Sequence, residues 1–229
     1  MSPIGVPNNL EWEGAAGIYN VVVTDAQGCS LTETVIIEQP DPIEVSLDPV
    51  IYGVDANGND VHVSCFGYND GELVSIVTGG NDGYIYSIGS TNNTSGIFTG
   101  LSSGSVTVDV EDAKGCLGQA SIVLNSPTAV SLDLTPYVND FGNNISCFGG
   151  SDGSIVTTVS GGIPEDNGTY NYSWSNGATS PDVVGLTAGT YTCVVTDANG
   201  CSDNMSVTLI EPNETFEALS LIHISEPTR

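Results

Sequence analysis

The run from Gly189 to Cys201, Gly-Thr-Tyr-Thr-Cys-Val-Val-Thr-Asp-Ala-Asn-Gly-Cys, is written three times in this chain, and that repetition limits the available folds more than any other feature. It recurs as Gly17 to Cys29 and, more loosely, as Gly104 to Cys116. In the last copy Tyr191, Cys193 and Val195 alternate with Thr192, Val194 and Thr196, the period of two expected of a strand with one buried face. Every copy then reaches Asp-Ala-x-Gly-Cys; in the last the Asn199-Gly200 pair tolerates positive φ and predicts a tight turn into a second strand. One hairpin is spelled out three times, which makes the chain a tandem array.

The period is set by the prolines that close each unit. Gln39-Pro40, Ser126-Pro127 and Glu211-Pro212 each follow an apolar strand and recur at intervals of about 85 residues. This predicts the second half of a repeat over residues 1–40, complete repeats over 41–127 and 128–212, and the start of another over 213–218. Leu219 to Arg229 resembles the translation of a sequencing-library adapter and is set aside as an artefact, taking His223 and Arg229 with it. The expectation is a reading frame cut from a longer gene at both ends.

Inside 128–212 strand-like runs fall near 129–136, 143–148, 153–159, 169–175, 182–186, 189–196 and 203–210, separated by Gly, Asn and Asp. Seven short strands in such a span predict an all-β chain of tandem immunoglobulin-like β-sandwich repeats. Tyr170, Tyr172 and Trp174 alternate along the fourth run, as Tyr84, Tyr86 and Ile88 do in the preceding repeat, and are expected in the core rather than on a sugar-binding platform. The repeats are expected to behave as beads, each with its own core and few contacts across Pro127.

With 28 Asp plus Glu against 2 Lys plus Arg, the formal net charge is −26. Such a chain repels phosphate backbones and anionic membranes, which excludes nucleic acid as a partner. No apolar run approaches the roughly 20 residues that span a bilayer. Residues 2–14 have neither the basic start nor the apolar stretch of a signal peptide, so any export signal is expected outside this segment. Catalytic constellations are equally scarce. Outside the tail the one histidine is His62, expected to be an ordinary surface residue, and with Lys114 it supplies neither a Ser-His-Asp set nor a phosphate-cradling loop. Two-carboxylate hydrolysis needs no histidine, but Asp residues placed equivalently in every repeat suit a structural role better. The chain is therefore expected to be no enzyme.

Ser146-Cys147-Phe148-Gly149-Gly150-Ser151-Asp152-Gly153, a later Gly-Gly, Tyr172-Ser173-Trp174-Ser175-Asn176-Gly177, then Gly185-Leu186-Thr187-Ala188-Gly189-Thr190-Tyr191 and Val195-Thr196-Asp197-Ala198-Asn199-Gly200-Cys201 resemble the SprB-type repeat of large surface adhesins in gliding Bacteroidetes. The preceding repeat departs from the pattern, with Tyr68-Asn69 for the Gly-Ser pair and Ile88 for the Trp. The resemblance implies export, an extracellular or cell-surface location and a role in adhesion or surface motility, with neighbouring repeats and a surface polysaccharide or other cell-surface ligand as partners. The alternative is a set of accessory spacers or carbohydrate-binding modules attached to a secreted hydrolase.

Each complete repeat has one Cys after a Ser (Cys65, Cys147) and one after the Gly turn (Cys116, Cys201), whereas Cys29 has only the second position. Disulfides Cys65–Cys116 and Cys147–Cys201 are the economical expectation: in a seven-strand Greek key the end of the second strand and the start of the seventh share one end. That geometry fails if the first Cys follows an extra edge strand instead. Zinc is the rival, against which stand a separation of about 50 residues and the lack of a CxxC. Cys193 is expected to be a buried apolar residue. The uncompensated acidity also suggests calcium, with Glu38, Asp41, Asp70, Glu72 and Asp112 as candidate ligands. For the next repeat the linker offers only Asn125 and Ser126, and no site is expected there.

Overall fold

The structure is a computed structural model that describes residues 14–55 and 57–213. The adapter-like stretch 219–229 and nearly all of 213–218 lie outside the described residues, as does the beginning of the opening half repeat. Among the described residues every regular element is a strand, and no helix is long and apolar enough to cross a membrane.

In chain order the strands are β1 (Gly17–Thr24), β2 (Ser30–Ile37), β3 (Glu44–Pro49), β4 (Gly53–Val54), β5 (Asp60–Val61), β6 (Gly71–Thr78), β7 (Ile85–Ile88), β8 (Thr91–Asn93), β9 (Ile97–Leu101), β10 (Gly104–Glu111) and β11 (Leu117–Leu124). They continue as β12 (Ser131–Pro136), β13 (Gly153–Ser160), β14 (Asn171–Trp174), β15 (Val183–Leu186), β16 (Gly189–Thr196) and β17 (Ser202–Leu209). The described residues divide into two compact units, one drawn from 14–46, 75–96 and 108–120 and the other from 47–55, 57–74, 97–107 and 121–213.

The sandwich is plainest in the second unit. Strands β12-β13-β15 form one antiparallel sheet and β14-β16-β17 another, so the chain crosses from sheet to sheet between β13 and β14, β14 and β15, and β15 and β16. That crossing order is the immunoglobulin-like Greek key. Leu132, Ile155 and Val183 from the first sheet meet Trp174, Cys193, Val195 and Leu209 from the second in one core. Trp174 is buried and its Nε1 donates to Ser180 O at 3.0 Å, while Tyr170 and Tyr172 pack half-buried against the same cluster. The aromatic stripe is core, as its spacing predicts. The other complete repeat has sheets ordered β3-β6-β9 and β11-β10-β7-β8, with β4 and β5 as a small added pair.

The repeated hairpin is real in all three copies. In β16 and β17 the register runs from Gly189↔Leu209 to Thr196↔Ser202, and in β1 and β2 from Gly17↔Ile37 to Thr24↔Ser30. The polar face is zipped by hydroxyl pairs, Thr190 with Thr208 at 2.9 Å, Thr192 with Ser206 at 2.8 Å and Thr107 with Ser121 at 2.8 Å. Those contacts explain why Thr alternates with apolar residues here.

The run expected as a strand at 143–148 is not one. Asn144 and Ile145 both donate their N–H to Ile210 O, at 2.9 and 3.1 Å, and the chain then turns away through Cys147. Ile145 is fully buried, so the run reads as strand-like because it plugs the core at one end of the sandwich. The Gly-Gly pairs have a stricter reason. A Cβ on Gly161, at φ +77°, would stand 1.9 Å from Ala129 O, and one on Gly79, at φ +76°, would stand 2.0 Å from Pro42 O. Only glycine admits so close an approach of the incoming chain.

Candidate functional site

The turn that ends the repeated run is a five-residue loop organised by its first side chain. Asp197 Oδ1 accepts from the N–H groups of Asn199 at 3.0 Å and Cys201 at 2.9 Å, Asp197 N donates to Cys201 O at 2.9 Å, and Gly200 N donates to Asp197 O at 3.2 Å. Asp25 through Cys29 and Asp112 through Cys116 make the same set of bonds. The loop also occurs where no Cys follows, at Asp55 through Asn59 and Asn139 through Asn143. In all five the glycine takes positive φ, between 81° and 90°, and no other described residue of these loops does. The Asn-Gly dipeptide is therefore no two-residue tight turn: the Asx oxygen three residues before the glycine closes the loop.

Two of these carboxylates also reach beyond their own loop. The buried Asp197 accepts from Ile163 N at 2.8 Å, and the buried Asp112 accepts from Asn81 N and Nδ2, each at 2.8 Å. Burial by itself would push the Asp112 carboxyl up, but bonds from the Asn81 side chain and from the backbone of Cys116, Asn81 and Lys114 outweigh it and hold the group well below the usual carboxylate range. The backbone N–H of Asn59 does the same for Asp55.

At the other end of the 128–212 sandwich lies its Ser-Cys-Phe-Gly turn, and residues 64–67 form the same turn in the preceding repeat. Asp70 Oδ1 accepts from Ser64 N at 3.0 Å and its Oδ2 from Ser64 Oγ; Asp152 Oδ1 accepts from Ser146 N at 3.1 Å. The hydroxyl and N–H of Ser146 lower the Asp152 pKa. Tyr68 N bonds back to Cys65 O at 3.1 Å and Gly150 N to Cys147 O at 2.9 Å, closing the same turn in both repeats.

The disulfide joins these two kinds of turn across repeats. Cys65 is bonded to Cys201, with Cα atoms 5.7 Å apart, while Cys116 and Cys147 are exposed free thiols. The expected pairs Cys65–Cys116 and Cys147–Cys201 are thus corrected. The physical reason is visible in residues 128–212. Cys147 lies near Ile210, beyond the end of β17, whereas Cys201 precedes the start of β17. The strand between has 8 residues and spans about 23 Å, far beyond the roughly 7 Å that two bridged Cα atoms tolerate. The first Cys follows no second strand of the sandwich but an end plug, and so sits at the wrong end.

Around the bond the two repeats are in contact. Asn199 Nδ2 donates to Ser64 O at 3.2 Å, and Ile163 packs so tightly on Gly53 that a Cβ there would lie 2.9 Å from its Cγ2. Pro127, in the linker, is fully buried. A small cleft of about 170 Å³ is lined by Phe66 and Tyr68 from one repeat and Ala129 and Val130 from the other. The junction at Pro127 is therefore a packed and covalent joint, and the expectation of loosely strung beads does not hold there.

His62 is the second correction. It is buried, 7% exposed, and pairs with the residue just past β11: His62 N donates to Asn125 O at 2.8 Å, and Asn125 N donates to His62 Nδ1 at 2.9 Å. Asn144 makes the same two bonds with Ile210, each at 2.9 Å. A ring nitrogen and an amide oxygen do one job in successive repeats. Cys193 is buried as expected, which pushes its thiol pKa up. The thiol of Cys116 is pushed up by the Asp112 carboxylate beside it.

Of the candidate calcium ligands, Asp70 and Asp112 spend their oxygens on the turn bonds above, Glu72 is half-buried in β6, and Glu38 and Asp41 are exposed. Asp41 O, from the backbone, accepts from Gly80 N at 2.7 Å. Among the described residues no group of three or more His, Cys, Asp or Glu is placed to hold a metal ion. Sequence reasoning also missed a tyrosine corner: Tyr191 OH donates to Thr187 O at 3.0 Å, and Tyr19 OH to Ala15 O at 2.7 Å. A Tyr third in the repeated run, after its Gly, was the available signal.

Residues 142–179 match the family model of the SprB repeat. The matched stretch includes the Cys147 turn and the Trp174 strand, two of the motifs that carry the resemblance, and ends before those at 185–191 and 195–201. No curated protein matches. Among solved structures the chain is similar to a C-terminal 282-residue fragment of intimin in complex with the translocated intimin receptor's intimin-binding domain, at 15% identity and a TM-score of 0.36, covering 77% of this chain and 65% of that one. It is similar to PcdhgB3 EC1-4 at 11% identity and a TM-score of 0.33, covering 86% and 64%, and to murine CEACAM1b at 12% identity and a TM-score of 0.25, covering 74% and 100%. The chain thus spans just under two thirds of the first two.

Proposed function

We propose that this chain is a non-catalytic stretch of an exported surface adhesin or stalk, in which sandwich repeats are locked end to end to give reach and to present their surfaces many times over. The observation that carries the reading is the Cys65–Cys201 bond, because it ties the far end of one repeat to the near end of the next. A bond in that place is suited to bearing tension, and it belongs to an oxidising compartment outside the cytosol. The SprB match over 142–179 supports the same location. The ligand is proposed to be a surface polysaccharide or other cell-surface group, and repetition turns weak contacts into avidity when several repeats engage at once.

Antibodies against residues 41–212 should label intact cells of the source, and soluble chain should compete with those cells for a polysaccharide-coated surface. Antigen confined to the culture fluid and co-purifying with a hydrolase would overturn the adhesin reading in favour of accessory modules. Labelled cells whose attachment is indifferent to the competitor would overturn the ligand assignment.

A further inference from the structure

The three exposed thiols, Cys29, Cys116 and Cys147, sit in turns that match the two turns joined by the disulfide. Cys147 lies in the same Ser-Cys-Phe-Gly turn as Cys65, closed by the same Asp-to-Ser N–H bond and the same bond back to the Cys carbonyl. The glycines after Phe66 and Phe148 have φ of +76° and +71°. The preceding side chain, His62 or Asn144, is bonded in the same way to the end of the last strand. Cys116 lies in the same five-residue Asx loop as Cys201, down to the positive φ of the glycine before it.

Complementarity outside the sulfur points the same way. The joint's hydrogen bond comes from Asn199, two residues after the loop Asp, to a Ser carbonyl. At that position the Cys116 loop has Lys114 and the Cys29 loop has Gln27, both side chains able to donate to a carbonyl. Phe148 is 53% exposed, as Phe66 is at 63%. Among the described residues Cys147 is a free thiol, as Cys29 and Cys116 are; Cys201, of its own repeat, is bonded elsewhere and lies a strand's length away, and Cys193 is sealed in the core.

We infer that Cys147 and Cys116 are the open halves of this same joint: Cys147 bonds the cysteine of an Asp-Ala-x-Gly-Cys loop in another repeat of this kind, and Cys116 bonds the cysteine of another Ser-Cys-Phe-Gly turn. The partner is a sandwich of the same type docked end to end. Each bond forms by thiol–disulfide exchange with the disulfide of an oxidoreductase. One thiolate displaces a sulfur of that disulfide, the second resolves the mixed disulfide, and the two cysteines give up two electrons and two protons as the oxidant becomes a dithiol. Every repeat then takes part in two bonds, one at each end, and an array of such repeats is a covalent ladder.

The test is a chain carrying a second copy of residues 128–212, with that copy's own Cys147 replaced by Ser, inserted between Pro212 and Asn213, oxidised with a disulfide-form oxidoreductase and mapped by non-reducing peptide mass spectrometry. Cys147 should be bonded to the inserted copy's Cys201. Its alkylation should fall at least about tenfold from that in the uninserted chain, because tethering supplies millimolar effective concentration. Replacing the inserted Cys201 by Ser should restore alkylation of Cys147 while the Cys65–Cys201 bond persists, which reports that the upstream joint is folded. Free Cys147 in the inserted chain, a Cys147–Cys201 bond that survives replacement of the inserted Cys201, or absence of Cys65–Cys201 from the uninserted chain would each overturn the inference. None of these outcomes depends on what the array binds, so this test and that of the adhesin reading fail separately.

Discussion

Exchanging His62 for Asn and for Ala separates its job from its identity. In the structure Nδ1 of the buried ring accepts from Asn125 N at 2.9 Å, as Asn144 Oδ1 accepts from Ile210 N in the following repeat. His62→Ala leaves that N–H without its acceptor, a loss of about 1–2 kcal/mol at a site water can partly reach, and removes the packed ring, adding about 1 kcal/mol. His62→Asn restores the acceptor with the side chain already used at Asn144, so its cost should stay below about 1 kcal/mol. Urea unfolding followed by tryptophan fluorescence gives the two differences, and hydrogen exchange at the Asn125 amide reads the bond locally. Protection there should collapse in His62→Ala and largely survive in His62→Asn. If the Asn variant is as damaging as the Ala variant, the equivalence of the two side chains is wrong and His62 matters for its ring alone.

Four further outcomes follow from the geometry. Replacing Cys65 and Cys201 by Ser should destabilise the second unit by up to about 5 kcal/mol, the chain-entropy value for a separation of 136 residues; pulling the oxidised chain from its ends should release about 480 Å less contour than the reduced chain, at ~3.5 Å per residue, and equal lengths would show that no such loop is closed. Asp197→Ala removes three N–H bonds at a buried site and should cost about 3 kcal/mol, whereas Asp25→Ala at an exposed loop should cost about 1 kcal/mol; similar costs in urea melts would refute the buried-turn account. The carboxyls of Asp55, Asp112 and Asp152 have folded pKa values below their unfolded ones, so the stability they contribute is present above the unfolded value of about 4 and is lost as pH falls below it; with charge repulsion screened by salt, a urea midpoint that rises on going from pH 5 to pH 3 would contradict this. Because Asp70 and Asp112 are engaged by their own turns, calcium should raise the melting temperature no more than magnesium does at equal ionic strength, and a calcium-specific rise abolished by Asp41→Asn with Asp112→Asn would restore the metal site.

The Asx loops also give a reason for the acidity that needs no ion. Five loops are closed by an Asp or Asn whose oxygen gathers N–H groups, so part of the negative charge is the by-product of turn chemistry repeated along the chain. Asn serves at residue 139 where Asp serves at 55, which shows that the oxygen, not the charge, is the common requirement. Where the oxygens are buried, at 112 and 197, the chain uses Asp and adds donors from Asn81 and Ile163.

What the sequence by itself determined is everything that depends on neighbours along the chain. The period of two in Tyr191, Cys193 and Val195 follows from the pleat, and the Gly before each turn Cys follows from a backbone sign that Cβ disfavours. The core role of Trp174 and the burial of Cys193 follow from the same alternation. Only the tertiary structure decided what depends on which ends of the sandwiches meet. The stretch 143–148 carries a strand's composition, yet Ile145 plugs the core and Asn144 ties to Ile210, and that choice moves Cys147 to the end of the sandwich opposite Cys201. Disulfide partners are selected by a few ångströms in space, and sheet order sets that distance over a strand's length. The same holds for His62, whose alignment with Asn144 was legible but whose partner, Asn125, lies 63 residues along the chain and is brought near only by the closing of the sandwich.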